Sequence, residues 1–271
     1  VSCESIQELD AKAQVIRRHV VEMITEAGSG HPGGSLSSAD IVTALYFHVM
    51  NLDPKNPNWA ERDRLVLSKG HAAPVLYAAL AEKGYFAKAE LLKLRKTGSM
   101  LQGHPDMKVT PGLDMTTGSL GQGLSVANGM ALSAKLDKRS HRIYVIMGDG
   151  EIEEGQIWEA AMAAAHYKLD NITAFVDYNG LQIDGPIKDV MSPESIQEKF
   201  KAFGWHVIDI DGHDMKQIIE AIEKAKNIKV KPTVIVAKTI KGKGVPFMED
   251  QVGWHGKAPS PEQAKEALEI I

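Results

Sequence analysis

Cysteine is nearly absent from this chain of 271 residues: Cys3, close to the amino terminus, is the single one. One thiol can form neither an internal disulfide framework nor a cysteine zinc site, so a reducing cytoplasm is the expected compartment. Long apolar runs are absent too. No stretch of about eighteen apolar residues occurs, and the amino-terminal segment carries Glu4, Glu8, Asp10, Arg17 and Arg18 at helical spacing where a signal peptide would be apolar. Neither a membrane span nor a targeting segment is expected. There is no excess of either charge: 31 basic residues stand against 35 acidic ones, a formal charge of −4 with no basic block. This argues against nucleic acid as the main partner. A P-loop is missing, and so is a glycine fingerprint attached to a strand. Gly28-Ser29-Gly30-His31-Pro32-Gly33 has the spacing of a dinucleotide motif but follows a helix, so a Rossmann cofactor site is rejected there.

What is present is apolar substance and regular alternation. Hydrophobic residues make up 44% of the chain, enough for a large core. Ser5 and Glu8 form a capping box for an amphipathic helix that runs to Gly28. Ser37 or Ser38 is expected to cap a helix through about Val49, and Asn51 to Asp63 reads as a connection. Arg64 to Leu67 reads as a strand, followed by helices over Ala72 to Lys83 and Ala87 to Lys96. Thr97 to Thr117 has no periodicity, and loops of that length are usually functional. Gly118-Ser119-Leu120-Gly121-Gln122-Gly123 leads into a helix to about Leu136, offering backbone amides and a positive dipole end suited to a diphosphate. Beyond the central unit described next, a helix is expected from Ser192 to Phe203, a strand over Trp205 to Ile210, a helix capped by Asp214 and a strand over Thr233 to Lys238. Lys241 to Ser260 reads as a long loop before a short final helix. The alternation predicts an α/β fold, a mostly parallel sheet with helices on both faces, in a single domain spanning 1–271.

The stretch from Arg142 to Asp184 organises the rest. Ile143 to Met147 is an apolar strand ending at Gly148-Asp149-Gly150; Ile157 to Tyr167 is an alanine-rich helix; Ile172 to Val176 is a second strand closed by Asp177-Tyr178-Asn179-Gly180. In a βαβ unit both polar turns lie at the carboxyl edge of the sheet, so Asp149 and Asn179 become neighbours. A carboxylate, an amide oxygen and a free carbonyl after Asn179 are hard oxygen donors suited to Mg2+ or Ca2+. Gly-Asp-Gly by itself is ordinary turn composition; the strand before it, the helix behind it and the second strand ending in Asn make it a binding site. Five of the ten histidines stand beside a glycine in turns or loops: His31, His71, His104, His213 and His255. Neutral imidazoles of this kind bind hydroxyls and move protons near neutral pH. His19, His48, His141, His166 and His206 lie in or beside regular elements and are given no role. Lys241-Gly242-Lys243-Gly244 has the charge to attract phosphate, but a short Lys-Gly run is more often a solvated turn, and it is given no role.

GDGEIEEGQIWEA followed by DYNGLQIDG, together with SGHPGGSLS, SKGHA, QGHP, TTGSLGQGLS and GWHG in that family's order, resembles transketolase over nearly the whole chain. One departure is visible: where the family often has two consecutive asparagines, the first is Tyr178, while Asn179 is kept. The resemblance implies a thiamine diphosphate-binding fold and a magnesium ion, for which Ca2+ could substitute. It implies that Asp149, Asn179 and the Leu181 carbonyl hold the metal. His71, Gly118, Ser119, Leu120, Gly150, Asn179 and His255 would hold the cofactor, with Glu154 a supporting carboxylate. His31 and His255 would contact substrate and move its protons, and His104 would bind the hydroxyl-bearing end of the sugar. His213 matches none of these motifs. The implied activity is transfer of a two-carbon ketol unit from a ketose, with sugar phosphates of the pentose phosphate pathway as the substrate class. Relatives such as 1-deoxyxylulose 5-phosphate synthase and pyruvate dehydrogenase-type α chains share the Gly-Asp-Gly turn, but the histidine-bearing stretches favour transketolase. A catalytically silent diphosphate-binding subunit is the other alternative, and the retained histidines and Asp149 argue against it. All these motifs belong to one of the family's two cofactor-gripping domains, and the sequence ends at Ile271. A separate C-terminal transketolase subunit of roughly three hundred residues is therefore expected to supply the catalytic glutamate and the substrate-phosphate contacts, in an α2β2 heterotetramer.

Overall fold

Along each central strand, successive side chains point to opposite faces, and here both faces are buried. The computed structural model describes residues 5–271; Cys3 lies outside the described residues. β1 (Arg64–Leu67), β2 (Ile143–Gly148), β3 (Ile172–Tyr178), β6 (His206–Asp211) and β7 (Thr233–Lys238) form one parallel sheet in the order β1-β2-β3-β7-β6. β4 (Leu181–Gln182) and β5 (Gly185–Pro186) form a small antiparallel pair beside it.

Leu65, Leu67, Tyr144, Ile146, Phe175 and Ile235 face one core, shared with α1 (Ile6–Ala27), α3 (Ala39–Ala44), α4 (Ala73–Lys83), α9 (Met215–Asn227) and α10 (Pro261–Ile270). Their sequence neighbours Val66, Val145, Ala174, Val176 and Val234 face the other, against α5 (Gly123–Leu136), α6 (Gly155–His166) and α8 (Ile196–Ala202). Double burial explains why these strands read as unbroken apolar runs and not as alternating ones. Each buried Val, Ile or Phe contributes about 1.5–3 kcal/mol of apolar transfer, so the two cores hold the sheet from both sides. The parallel α/β architecture with helices on both faces is the one the sequence predicts.

Local signals hold best where a cap is explicit. Ser5 accepts from the Glu8 N–H at 3.3 Å and Glu8 Oε2 accepts from the Ser5 N–H at 2.7 Å, while Gly28 ends α1 in the left-handed conformation. Elsewhere the elements differ. The helix expected from Ser37 or Ser38 instead begins as α2 (Pro32–Ser37), with Pro32 in its first turn, and breaks at Ser38 before α3. The Ser37 hydroxyl donates to the Asp177 carboxylate at 2.6 Å and the Ser38 hydroxyl to the Gly34 carbonyl at 2.7 Å, so neither caps a helix, and residues 45–49 continue as a single wider turn. Over Ala87 to Lys96 only a tighter 3-10 helix at Lys88–Lys93 forms, because Leu91 and Leu94 alone are buried there and Arg95 turns left-handed with φ 60°. α7 (Ile187–Val190) precedes α8, which starts at Ile196, not Ser192, since Ser195 is the residue that accepts from the Glu198 N–H.

All five parallel strands deliver their following turns to one edge. β1 ends at Ser68-Lys69-Gly70-His71, β2 at Gly148-Asp149, β3 at Asn179 and β7 at Thr239, so four distant segments meet there. No helix among the described residues is long and apolar enough to cross a membrane.

Candidate functional site

A cavity of about 320 Å3 opens at that edge, lined among others by Lys69, His71, His104, Gly118, Leu120, Asp149, Gly150, Asn179, Leu181, Lys241 and His255. Asp149 is 2% exposed and accepts from the Gly150 N–H at 2.9 Å and the Gly180 N–H at 2.5 Å, which ties the β2 turn to the β3 turn. Asn179 Oδ1 accepts from the Leu181 N–H at 3.1 Å. The three oxygen donors expected from the sequence thus share one small region of backbone. Burial, and then the nearby Asp177 carboxylate, push Asp149 up to about 7. A cation beside it would return it to the charged state.

Two buried networks fix these turns. Asp177 accepts from Lys69, Ser37 and Thr239; burial alone would raise its pKa, but Lys69 and the two hydroxyls hold it below the ordinary carboxylate range. Lys69 Nζ also donates to the Gly34 carbonyl at 2.7 Å. Glu151, 3% exposed, accepts from the Ser68 hydroxyl, the Gly121 N–H at 2.9 Å and the Gly148 N–H at 3.0 Å. One carboxylate therefore joins the ends of β1 and β2 to the glycine-rich lead-in of α5. In that lead-in, Gly118 has φ 148°, a conformation that favours glycine, and a Cβ there would stand 3.2 Å from the His104 ring.

Four of the glycine-flanked histidines converge. The His31 ring centre lies 5.4 Å from His71, 5.6 Å from His255 and 6.3 Å from His104, and His71 stacks on His255 at 5.2 Å. Burial, followed by Arg95, His104 and Lys241, lowers His31 to about 4; burial, followed by Lys241, His31 and Lys69, lowers His255 to about 3. His71 and His104 are depressed as well, by burial first and then by neighbouring charge. The cluster is neutral at physiological pH and offers donors and acceptors to hydroxyl groups. His31 Nδ1 is buried with no hydrogen-bond partner. The fifth, His213, lies apart: Nδ1 donates to Asp40 at 2.7 Å and Nε2 accepts from the Ile240 N–H at 2.9 Å, with Arg17 completing the buried pairing of Asp40.

Ser119 and Glu154 are exposed and do not line the cavity; Glu154 packs beside Gly121 at its rim. The reading of Lys241 to Gly244 as a solvated turn is wrong at its first residue. Lys241 is 1% exposed, and its Nζ donates to the Leu181 carbonyl and to His255 Nδ1, both at 2.9 Å. An ammonium carries no acceptor, so Nδ1 of His255 accepts and the ring proton sits on Nε2. Burial lowers Lys241 to about 8, which leaves it mostly charged at neutral pH. Lys69, Asp177 and Glu151 were also missed as members of the site. Position was the available signal: ligands bind beyond the carboxyl ends of parallel strands, and both lysines sit just past such an end.

The donor set fits a diphosphate with a divalent cation. Two buried ammonium groups and glycine backbone line the cavity together with one carboxylate, one amide and one carbonyl oxygen, and the imidazoles add no net charge. Among the described residues there is no group of three His, Cys, Asp or Glu able to hold a metal ion. A magnesium ion here would rely on amide and carbonyl oxygens and on the diphosphate itself, which is its usual habit.

A parallel sheet covered on both faces, with these groups along its carboxyl edge, defines a domain that grips an anionic cofactor. Residues 9–269 match the family described as transketolase, thiamine diphosphate binding domain, and the chain belongs to that family. It is 51% identical to a 6-deoxy-6-sulfo-D-fructose transketolase subunit of Clostridium sp. (strain MSTE9), covering 96% of this chain and 95% of that one. It is 44% identical to an apulose-4-phosphate transketolase subunit of Phocaeicola vulgatus, over 98% and 94% of the two chains. Homo sapiens transketolase is 45% identical over 99% of this chain, which spans only 42% of that longer protein. The crystal structure of Campylobacter jejuni transketolase superposes with a TM-score of 0.93 at 37% identity, covering 98% of this chain and 43% of that one.

Proposed function

We propose that this chain is the diphosphate-binding subunit of a thiamine diphosphate-dependent transketolase and works with a separate C-terminal chain. The observation that carries the reading is the convergence of Asp149, Asn179, Leu181, Lys69 and Lys241 with the neutral His71, His104 and His255 in one cavity of about 320 Å3, with the neutral His31 ring packed against all three. Residues 1–271 act as one unit in this reading, in the cytoplasm. Asp149, the Asn179 amide oxygen and the Leu181 carbonyl hold Mg2+, for which Ca2+ can substitute. Lys241, resting on that carbonyl at 2.9 Å, and Lys69 balance the diphosphate charge. His71, His255 and the backbone at Gly118, Leu120 and Gly150 orient the cofactor, with Ser119 and Glu154 supporting this wall from outside the cavity.

When bound, thiamine diphosphate supplies the carbon nucleophile that adds to a ketose carbonyl and the electron sink that lets the adjacent carbon–carbon bond break. His31 and His255 accept and return protons at the substrate hydroxyls, burial keeping both rings in the neutral form that can take a proton. His104 hydrogen-bonds the hydroxyl-bearing end of the sugar. The substrate class is a ketose carrying an anionic group, either a phosphate sugar or, as the Clostridium relative's name indicates for that protein, a sulfonated one. The C-terminal partner supplies the glutamate that activates the cofactor, in an α2β2 assembly. Support for a partner comes from two relatives named as subunits, each matched over more than nine-tenths of its length.

Asp149→Ala tests the reading. Titration with thiamine diphosphate and Mg2+ should show at least a tenfold loss of affinity, the scale of one or more charged interactions, while circular dichroism stays unchanged. Unaltered affinity would remove Asp149 and the cavity from the cofactor site.

A further inference from the structure

Beside His104 stands a cation that the proposed chemistry leaves unused. Arg95 adopts the left-handed conformation at φ 60°, uncommon for a residue with a side chain, and its N–H donates to the Leu101 carbonyl at 2.8 Å. That turn brings its guanidinium back over Gly103. A Cβ at Gly103 would fall 2.8 Å from Arg95 Cζ and 2.9 Å and 3.1 Å from its two terminal nitrogens, so the group lies against bare backbone one residue before His104. The Tyr77 hydroxyl, shared between the Gln102 carbonyl at 2.9 Å and the His104 carbonyl at 3.1 Å, pins the segment on both sides.

The charge of Arg95 is uncompensated. Its neighbour Lys96 pairs with Glu26 at 2.6 Å, but among the described residues the Arg95 guanidinium makes no hydrogen bond and no ion pair. It is exposed, unlike the buried lysines at the opposite end of the site. Its field reaches inward, since it contributes to the lowered basicity of both His31 and His104. The groups therefore run in series: the Asp149 turn with Lys241, then His255 and His71, then His31, then His104, and last a free guanidinium.

We propose that Arg95 receives the tetrahedral oxyanion, phosphate or sulfonate, at the far end of the sugar whose hydroxyls lie along the histidine cluster. The inference rests on the transketolase reading above and assigns part of the substrate-anion recognition to this chain, where the family resemblance implies that all of it belongs to the partner. A planar guanidinium suits such a group because it can donate two parallel hydrogen bonds to two of its oxygens.

The test uses the complex with the C-terminal partner, comparing wild type, Arg95→Gln and Arg95→Lys. Three donors are supplied with glycolaldehyde as a neutral acceptor: fructose 6-phosphate, 6-deoxy-6-sulfo-D-fructose and fructose at high concentration. Arg95→Gln should lower kcat/KM about tenfold or more for the anionic donor the enzyme uses, mainly through KM, the scale of one lost charged hydrogen bond. Fructose should change by less than about twofold, thiamine diphosphate affinity should be unaffected, and Arg95→Lys should recover part of the loss. The anionic donor on which the loss falls identifies the anion. Equal losses on all three donors, or no loss on either anionic one, would overturn the inference while leaving the transketolase reading intact. A wild-type complex that transfers from none of the three would overturn that reading and the inference with it.

Discussion

Lys241 joins the Leu181 side of the cavity to its histidine side, because one ammonium donates both to the Leu181 carbonyl and to His255. Lys241→Met keeps much of the buried volume and removes the charge, so affinity for thiamine diphosphate should fall about ten- to a hundredfold by titration calorimetry. His31 carries a stability signature. Its pKa is about 4 folded against 6.5 for the free side chain, so between these values the unfolded chain binds the extra proton. Its contribution is complete above about pH 6.5 and is lost as pH falls toward about 4. In His31→Gln, the decline of Tm with acidification across that window should be shallower than in wild type; parallel curves would count against the burial of a neutral imidazole there. Asp149 and Asn179 were legible from sequence because a strand, a turn and a fixed spacing announce them. Lys241 was not, since its partners Leu181 and His255 lie 60 and 14 positions away and its local context is that of an ordinary glycine turn.

At the scale of elements, the site depends on three turns held by one side chain. Glu151 takes hydrogen bonds from Ser68 after β1, Gly121 before α5 and Gly148 at the end of β2. Glu151→Ala leaves three buried donors without an acceptor, so urea unfolding should report a loss of about 3 kcal/mol or more. Exposed Glu198→Ala should stay within about 0.5 kcal/mol. The sheet strands were readable because each is an apolar run buried on both faces, and α1 because its capping box and Gly28 mark both ends. The break between α2 and α3 was not, because Ser37 and Ser38 read as caps but spend their hydroxyls on the Asp177 carboxylate and the Gly34 carbonyl. The 3-10 segment at Lys88–Lys93 was misread for a related reason: helix-forming residues need a buried stripe to stay helical, and only Leu91 is buried within it.

For the whole molecule, the two cores make a rigid floor under the carboxyl edge, and the site is assembled from turns that are far apart in sequence. The fold class was visible in the alternation of strands and helices, but the convergence of His31, His71, His104 and His255 on one point was not, since ring contacts across the loops leave no periodic trace. The chain spans about two-fifths of full-length transketolases and nearly all of two transketolase subunits. This relation motivates the central claim, that the diphosphate half of a divided active site resides here. The most direct measurement follows two-carbon transfer from a ketose to an aldose by mass spectrometry, with thiamine diphosphate and Mg2+ present, for this chain, its C-terminal partner and the two combined. Transfer by the combination and by neither chain separately is the predicted result. Sustained transfer by this chain with the partner shown to be absent, or none by the combination, would contradict it.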